Sequence, residues 1–292
     1  MTLAIGEIRI DRVVESIEPG NLPHEDFPDA TPEALAPHLK WLQPTAIDEE
    51  GRLVMPVQTY LVRTRRHTVL LDTCVGNHKN HPAMPNWHKR SDYTLLEDIA
   101  AAGVAPEAGD IVMCSHMHLD HVGWNTRRED GRWVPSFPNA RYVFSRKELA
   151  FAEEEGRKGD PVYEESVLPV LEAGQAEIVE ADHAVDDEVW LEPTHGHTPG
   201  HVAVRLASGG AMGVMLGDLI HSPLQLPHPE WSPIYDWDPA EGARTRRRFL
   251  ESVADTDVLV MTQHFPVPSV GHVFGRGTGF GFRYLGSAMV HG

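Results

Sequence analysis

Cysteine is nearly missing from this chain: Cys74 and Cys114 are the only two in 292 residues, forty positions apart and each inside an apolar stretch. That excludes a disulfide framework and fits a reducing compartment, read here as the cytoplasm. Long apolar runs are also missing, since none reaches the ~18 residues of a membrane span. The opening MTLAIGEIRIDRVVES has no basic segment followed by an apolar one, so an unexported chain without a membrane partner is expected. Positive charge is in deficit, with 25 Lys and Arg against 43 Asp and Glu and a net charge of −18. This argues against nucleic acid as the main partner. The remaining composition, 41% apolar and 23% charged, is that of a globular chain and excludes disorder, collagen and coiled coil.

Histidine, the commonest metal ligand, is abundant: there are 18. Around the histidines, short apolar runs read as buried strands at 69–71, 111–114, 141–144, 202–206, 211–216 and 258–261. Helical spacing of Leu95, Leu96, Ile99 and Ala100 predicts a helix within 92–103, stopped by Gly103. Ser145 with Glu148 predicts a capping box opening a helix through Glu155, and Asp238, Pro239 and Glu241 open another to about Val253. Strands and helices mixed along the whole length, with no linker, predict one α/β domain over 1–292. Residues 153–192 hold fourteen acids against Arg157 and Lys158 alone, which reads as a solvated acidic face. Arg244, Arg246, Arg247 and Arg248 read as surface charges that could pair with it. The alternating Gly275, Gly277, Gly279 and Gly281 lack the strand-to-helix context of a phosphate loop and predict a strand or tail.

Chemistry concentrates in Ser115-His116-Met117-His118-Leu119-Asp120-His121, directly after a buried strand. A turn leaving a sheet edge aims several side chains at one point. Histidines two apart on an extended turn share a side, which suits chelation of one ion by His116 and His118. Asp120 and His121 then point at a neighbouring position, so two adjacent metals are expected.

The pattern His-x-His-x-Asp-His at 116–121 resembles the signature of the metallo-β-lactamase superfamily. Thr194 to His201 resembles its second histidine motif, with His197 at the ligand place; Leu216-Gly217-Asp218 resembles its bridging aspartate, and Thr262-Gln263-His264 its final histidine. The likeness spans roughly 50–270. It implies an αββα sandwich with a dinuclear centre at one edge: His116, His118 and His197 on one ion, Asp120, His121 and His264 on the other, and Asp218 between them. Imidazole and carboxylate without thiolate suit zinc, and also manganese, iron or cobalt. His195 is the alternative ligand, standing where the motif usually has proline. The resemblance also implies that Asp72 accepts a hydrogen bond from a ligand imidazole; the alternative is a turn aspartate capping Thr73 or Gly76. His201 reads as structural or as a support behind the ligands.

Two cations sharing an oxygen ligand lower the pKa of water and supply hydroxide at neutral pH. Hydrolysis of a lactone, ester, amide or phosphoester is therefore the default, with Asp120 a candidate to orient the hydroxide. Motif order is most similar to the branch of acyl-homoserine lactonases and methyl parathion hydrolase. In the lactonases a tyrosine three residues after the bridging aspartate contacts the substrate carbonyl; here that place is His221, a candidate donor to the developing oxyanion. The stretch 221–238, with four prolines, Trp231, Tyr235 and Trp237, predicts an apolar pocket wall for an acyl or aryl group. Residues 74–90, with His78, His81, Trp87 and His88, are the expected facing wall, and these three histidines a weaker candidate metal site. A glyoxalase-type thioesterase, an iron-dependent persulfide oxidation and a metal-stabilised scaffold are the alternatives. The proline-rich loops also offer a surface for a homodimer.

Overall fold

In chain order the strands are β1 (Thr2–Ile5), β2 (Ile8–Pro19), β3 (Val54–Arg63), β4 (Thr68–Leu71), β5 (Ile111–Met113), a ribbon of β6 (Thr126–Glu129) and β7 (Arg132–Pro135), β8 (Arg141–Ser145) and β9 (Ala176–Val179). A second set follows: β10 (Val189–Pro193), β11 (Val202–Ser208), β12 (Ala211–Met215), β13 (Leu259–Met261), β14 (Val270–Arg276), β15 (Gly279–Tyr284) and β16 (Val290–His291). The central strands β4, β5 and β13 are short and almost wholly buried, while β2 and β3 are longer and β6, β7 and β9 are partly exposed. The computed structural model describes residues 2–291. It joins β1-β2-β3-β4-β5-β8-β9 into one sheet and β10 through β16 into another. Three single-turn helices, α1 (Pro23–Asp26), α2 (Pro32–Leu35) and α3 (Leu39–Leu42), separate β2 from β3. Beyond them come α4 (Leu95–Ala101), α5 (Arg146–Arg157), α6 (Leu168–Glu172) and α7 (Pro239–Val253).

Period-two alternation decides which sides meet. Val69, Leu71, Ile111 and Met113 of the first sheet pack with Val204, Leu206, Met215 and Met261 of the second. The intervening Leu70 and Val112 turn outward onto Leu95, Ile99 and Ala152 of α4 and α5. Val214 and Val260 turn outward onto Phe249, Leu250 and Val253 of α7. Each sheet therefore has helices on one face and the other sheet on the opposite one, the expected αββα sandwich. Phe27, Ala30, Leu42 and Ile47, around α2 and α3, form a separate apolar cluster with Leu224 and Trp231, pinning down the segment after β12.

Some local expectations hold and others change. Asp238 caps α7, accepting from Glu241 N at 2.9 Å. Ser145 precedes α5 but makes no side-chain cap, and Glu148 turns inward instead of closing a capping box. The alternating glycines lie in the β14–β15 hairpin, which bears out the strand of the two expected alternatives. Of the α7 arginines, Arg246 is 1% exposed, so it is no surface charge, and Arg247 pairs with Glu230. The acidic stretch is instead met by Arg65, Arg66, Arg141 and Arg146, on Glu188, Asp187, Glu177 and Glu180 respectively. Among the described residues no helix is long and apolar enough to cross a membrane.

Candidate metal centre

The segments carrying the candidate ligands leave their strands at one edge of the sandwich. β4 runs parallel to β5 and β12 parallel to β13, so the turns after Leu71, Met113, Met215 and Met261 open on common sides of their sheets. Gly217, at φ +53°, lets the chain turn sharply after β12: a Cβ there would lie 2.5 Å from Ser115 Oγ and 2.8 Å from His201 Nε2. The turn delivers Asp218 between two sets of side chains.

One set is His116, His118, His197 and Asp218; the other is Asp120, His121 and His264. Within each, one donor atom per residue lies within 4.8 Å of all the others. Asp218 faces both sets. Its Oδ2 is 3.7 Å from His116 Nε2 and 3.5 Å from His197 Nε2, while its Oδ1 is 3.1 Å from both His121 Nε2 and His264 Nε2. Asp120 Oδ2 lies 3.5 Å from His264 Nε2 and 3.7 Å from His121 Nε2. All seven residues assigned from the motifs are thus brought together.

Most of these imidazoles are held from behind. His121 Nδ1 lies 2.8 Å from Asp72 Oδ2, and His264 Nδ1 lies 2.8 Å from Pro56 O. His197 Nδ1 lies 2.9 Å from Asp236 Oδ1. In each case a proton on the rear nitrogen leaves Nε2 free to face inward. Asp72 also accepts from Ser115 N, Ser115 Oγ and Gln263 Nε2; it is a junction of three segments and not a cap for Thr73 or Gly76. His201 Nε2 accepts from Asp218 N at 3.0 Å while its Nδ1 lies 2.8 Å from Thr194 Oγ1, so it braces the Asp218 turn. His195 stays outside both sets, with Nδ1 at 3.2 Å from His201 O.

Electrostatics favour the ligand forms of His116, His197 and Asp218, whereas at His121 and His264 the Asp218 and Asp120 carboxylates outweigh burial and raise both imidazoles, a proton that a cation at the same place would displace. Burial, with neighbouring imidazoles, holds His116 and His197 well below the usual histidine range, keeping their lone pairs unprotonated. Burial alone would raise the Asp218 carboxyl, but His121, His264 and His221 outweigh it and hold the group well below its ordinary value. His116 Nε2, His121 Nε2 and Asp218 Oδ1 are buried yet have no hydrogen-bond partner. Orphaned polar atoms are costly unless something satisfies them. Convergent nitrogen and oxygen donors without thiolate therefore fit a pair of divalent cations.

Glu148 and Asp236 do not stand out in the sequence. Glu148 accepts from Met117 N, Thr198 Oγ1 and Gly200 N, tying the 116–121 turn to the 194–201 turn. Burial pushes its carboxyl up to about 7 against those three hydrogen bonds. Its helix-start position masks this role, which depends on contacts 31 to 52 residues away.

A cavity of about 680 Å³ opens beside the cluster, bounded by His118, His197, Pro199, Tyr235 and Trp237. Its facing wall is α5, through Lys147, Ala150, Phe151, Glu154, Glu155 and Lys158, and not residues 74–90. Trp231, also expected there, is buried and stacked on His228. His78, His81 and His88 form no metal-holding group among the described residues; His88 Nδ1 instead accepts from His81 N. His221 is 3% exposed, with Nε2 3.0 Å from Asp218 Oδ2 and its ring stacked on that of His264. Cys74 and Cys114 are free and buried.

Residues 52–276 match the model of the metallo-beta-lactamase superfamily, and the chain belongs to that family. A protein from Bacillus sp. named N-acyl homoserine lactonase is 26% identical over 176 residues, covering 56% of this chain and 63% of that one. N-acyl homoserine lactonase AiiB of Agrobacterium fabrum is 28% identical over 130 residues, 41% of this chain and 40% of that one. The chain thus matches less than two thirds of the length of these curated relatives. Among solved structures, the dizinc quorum-quenching lactonase AidC, in complex with a product, N-hexanoyl-L-homoserine, has a TM-score of 0.81 at 22% identity, covering 98% of this chain and 97% of that one. The hydrolase AbOPH has a TM-score of 0.82 at 23% identity, with the same coverage. These two likenesses establish the shared fold.

Proposed function

We propose that this chain is a dinuclear metallohydrolase that opens the ring of acyl-homoserine lactones. The observation that carries the reading is that His118 and His197 belong both to a donor cluster and to the rim of the 680 Å³ cavity. The lactonase names of the curated relatives support the lactone, and Phe151, Tyr235 and Trp237 supply apolar surface for an acyl chain. His116, His118 and His197 would hold one ion, Asp120, His121 and His264 the other, with Asp218 shared. Zinc is the first choice for this donor set. When bound, such ions activate water near neutral pH and polarise the acyl oxygen under attack.

The chain's own residues supply orientation. Asp120, partly open to solvent, sits beside His121 and His264, where a carboxylate can align the attacking water. His221 donates to the oxygen that gains charge, from a ring fixed against His264 and Tyr235. His221→Ala is expected to lower kcat by about 100-fold, in line with loss of an oxyanion donor, while both ions stay bound. Unchanged turnover removes His221 from the mechanism.

The deciding test of the whole reading measures initial hydrolysis rates of zinc-loaded protein on a long-chain acyl-homoserine lactone, an aryl carboxylic ester and an aryl phosphotriester, each with and without chelator. The lactone should be preferred, and chelator should bring its turnover to background. A preference for the phosphotriester overturns the lactone assignment, and chelator-insensitive turnover overturns the metal one.

A further inference from the structure

Arg246 is the largest fully buried side chain of the protein, and its donors diverge onto four separate groups. Nε donates to Leu219 O at 2.7 Å, directly after Asp218. Nη1 donates to Pro229 O at 2.9 Å and to Trp231 O at 3.0 Å, inside the segment that carries the aromatic wall. Nη2 donates to Asp236 Oδ2 at 3.2 Å, and the other oxygen of that carboxylate faces His197 Nδ1. The same region is stitched together by its backbone: Trp237 N donates to His197 O and Asp238 N to Gly196 O, both at 2.9 Å. Gly196, at φ +134°, lies so close to α7 that a Cβ there would be 2.3 Å from Gly242 Cα.

A buried ion pair is a weak source of stability, because desolvation offsets much of the attraction and an apolar pair of similar volume often serves the fold as well. An apolar pair could not keep the proton of His197 on Nδ1, nor hold Leu219, Pro229 and Trp231 at fixed positions around one planar group. We infer that Arg246 and Asp236 are a positioning pair that fixes the ring of His197, the Asp218 turn and the aromatic pocket wall as one unit. The inference rests on the proposal that His197 holds an ion. Its consequence is selective at Asp236, which touches His197 and not the Asp218 turn: the ion held by His116, His118 and His197 depends on that carboxylate, and the ion held by Asp120, His121 and His264 does not.

The test is zinc binding by the full chain, measured by competition with a chromophoric chelator, alongside thermal unfolding of the metal-free form. Asp236→Asn keeps shape but leaves one acceptor oxygen for two donors. It should weaken one of the two zinc ions by about 10- to 100-fold, as loss of a partner behind a ligand does, and leave the other at wild-type affinity. Arg246→Met should act in the same direction, and Arg246→Lys, which restores the charge but not the four-way reach, should fall between Met and wild type. If Arg246→Met does not fold, Asp236→Asn decides alone. Two ions at wild-type affinity in Asp236→Asn overturn the positioning role. Parallel weakening of both ions in Asp236→Asn together with lower thermal stability reduces the pair to a structural one and also overturns it. A wild-type chain that binds fewer than two ions overturns the metal reading itself, and this inference with it.

Discussion

Asp218→Ala should abolish two-ion binding and reduce lactone turnover by more than the ~100-fold that loss of a partner behind a ligand costs. The reason is position. One carboxylate oxygen faces His116 and His197, and the other faces His121 and His264, all four contacts falling between 3.1 and 3.7 Å. Among the described residues no other carboxylate stands between the two sets, since Asp120 belongs to the second alone. Two dications held at adjacent positions repel each other strongly in a site this buried, and an anion shared between them is the most direct compensation. With alanine, the imidazoles remain but their common counter-charge is gone. Metal content after exhaustive dialysis, measured together with kcat/KM, checks this. Two retained ions with full activity would mean that another group bridges.

Much of this centre is legible in the sequence because its candidate ligands sit at strand ends, where the chain must leave the sheet and where neighbouring turns open on one edge. The sequence spacing of His116, His118, Asp120 and His121 maps directly onto space because those residues share a single turn. The supporting shell was less legible for the opposite reason. Asp236 meets His197 across 39 residues and Glu148 meets Thr198 across 50, and no local period encodes such pairings. Arg246 shows the failure most clearly. Three consecutive arginines on a polar helix read as a solvated face, yet its helix position turns that one side chain under the 219–236 segment, where four oxygens receive it. Glu148 reads as a cap because its spacing from Ser145 satisfies a local rule, while the tertiary donors Met117 N, Thr198 Oγ1 and Gly200 N compete for it and win. The pocket wall follows the same logic: residues 221–238 were identified by aromatic content, whereas α5 contributes mixed residues whose exposure to the cavity depends on where the helix docks.

Asp72→Asn should lower the stability of the metal-free protein by about 1–3 kcal/mol, the cost of a buried donor left without an acceptor. The backbone does not resist the change: Asp72 sits at φ +59°, a region that asparagine also tolerates. What changes is the number of acceptors. Asp72 Oδ2 is 2.8 Å from each of Ser115 Oγ, Gln263 Nε2 and His121 Nδ1, and Oδ1 accepts from Ser115 N at 2.7 Å. An amide nitrogen in the first position faces three donors with a fourth, and in the flipped position it faces the Ser115 N–H. Ser115 Oγ has a partial escape, since it also lies 3.1 Å from His116 Nδ1, which keeps the expected cost below the sum of all the lost contacts. His121 has no comparable alternative on its Nδ1 side, so affinity for the ion proposed at Asp120, His121 and His264 should also fall by about 10- to 100-fold. Bound metal stabilises the folded state by mass action, so urea unfolding must be compared with and without chelator. The fall in stability should persist in chelator and widen with limiting zinc. An Asp72→Asn protein that unfolds at the wild-type midpoint in both conditions would show that Ser115, Gln263 and His121 do not depend on this carboxylate to meet at one point.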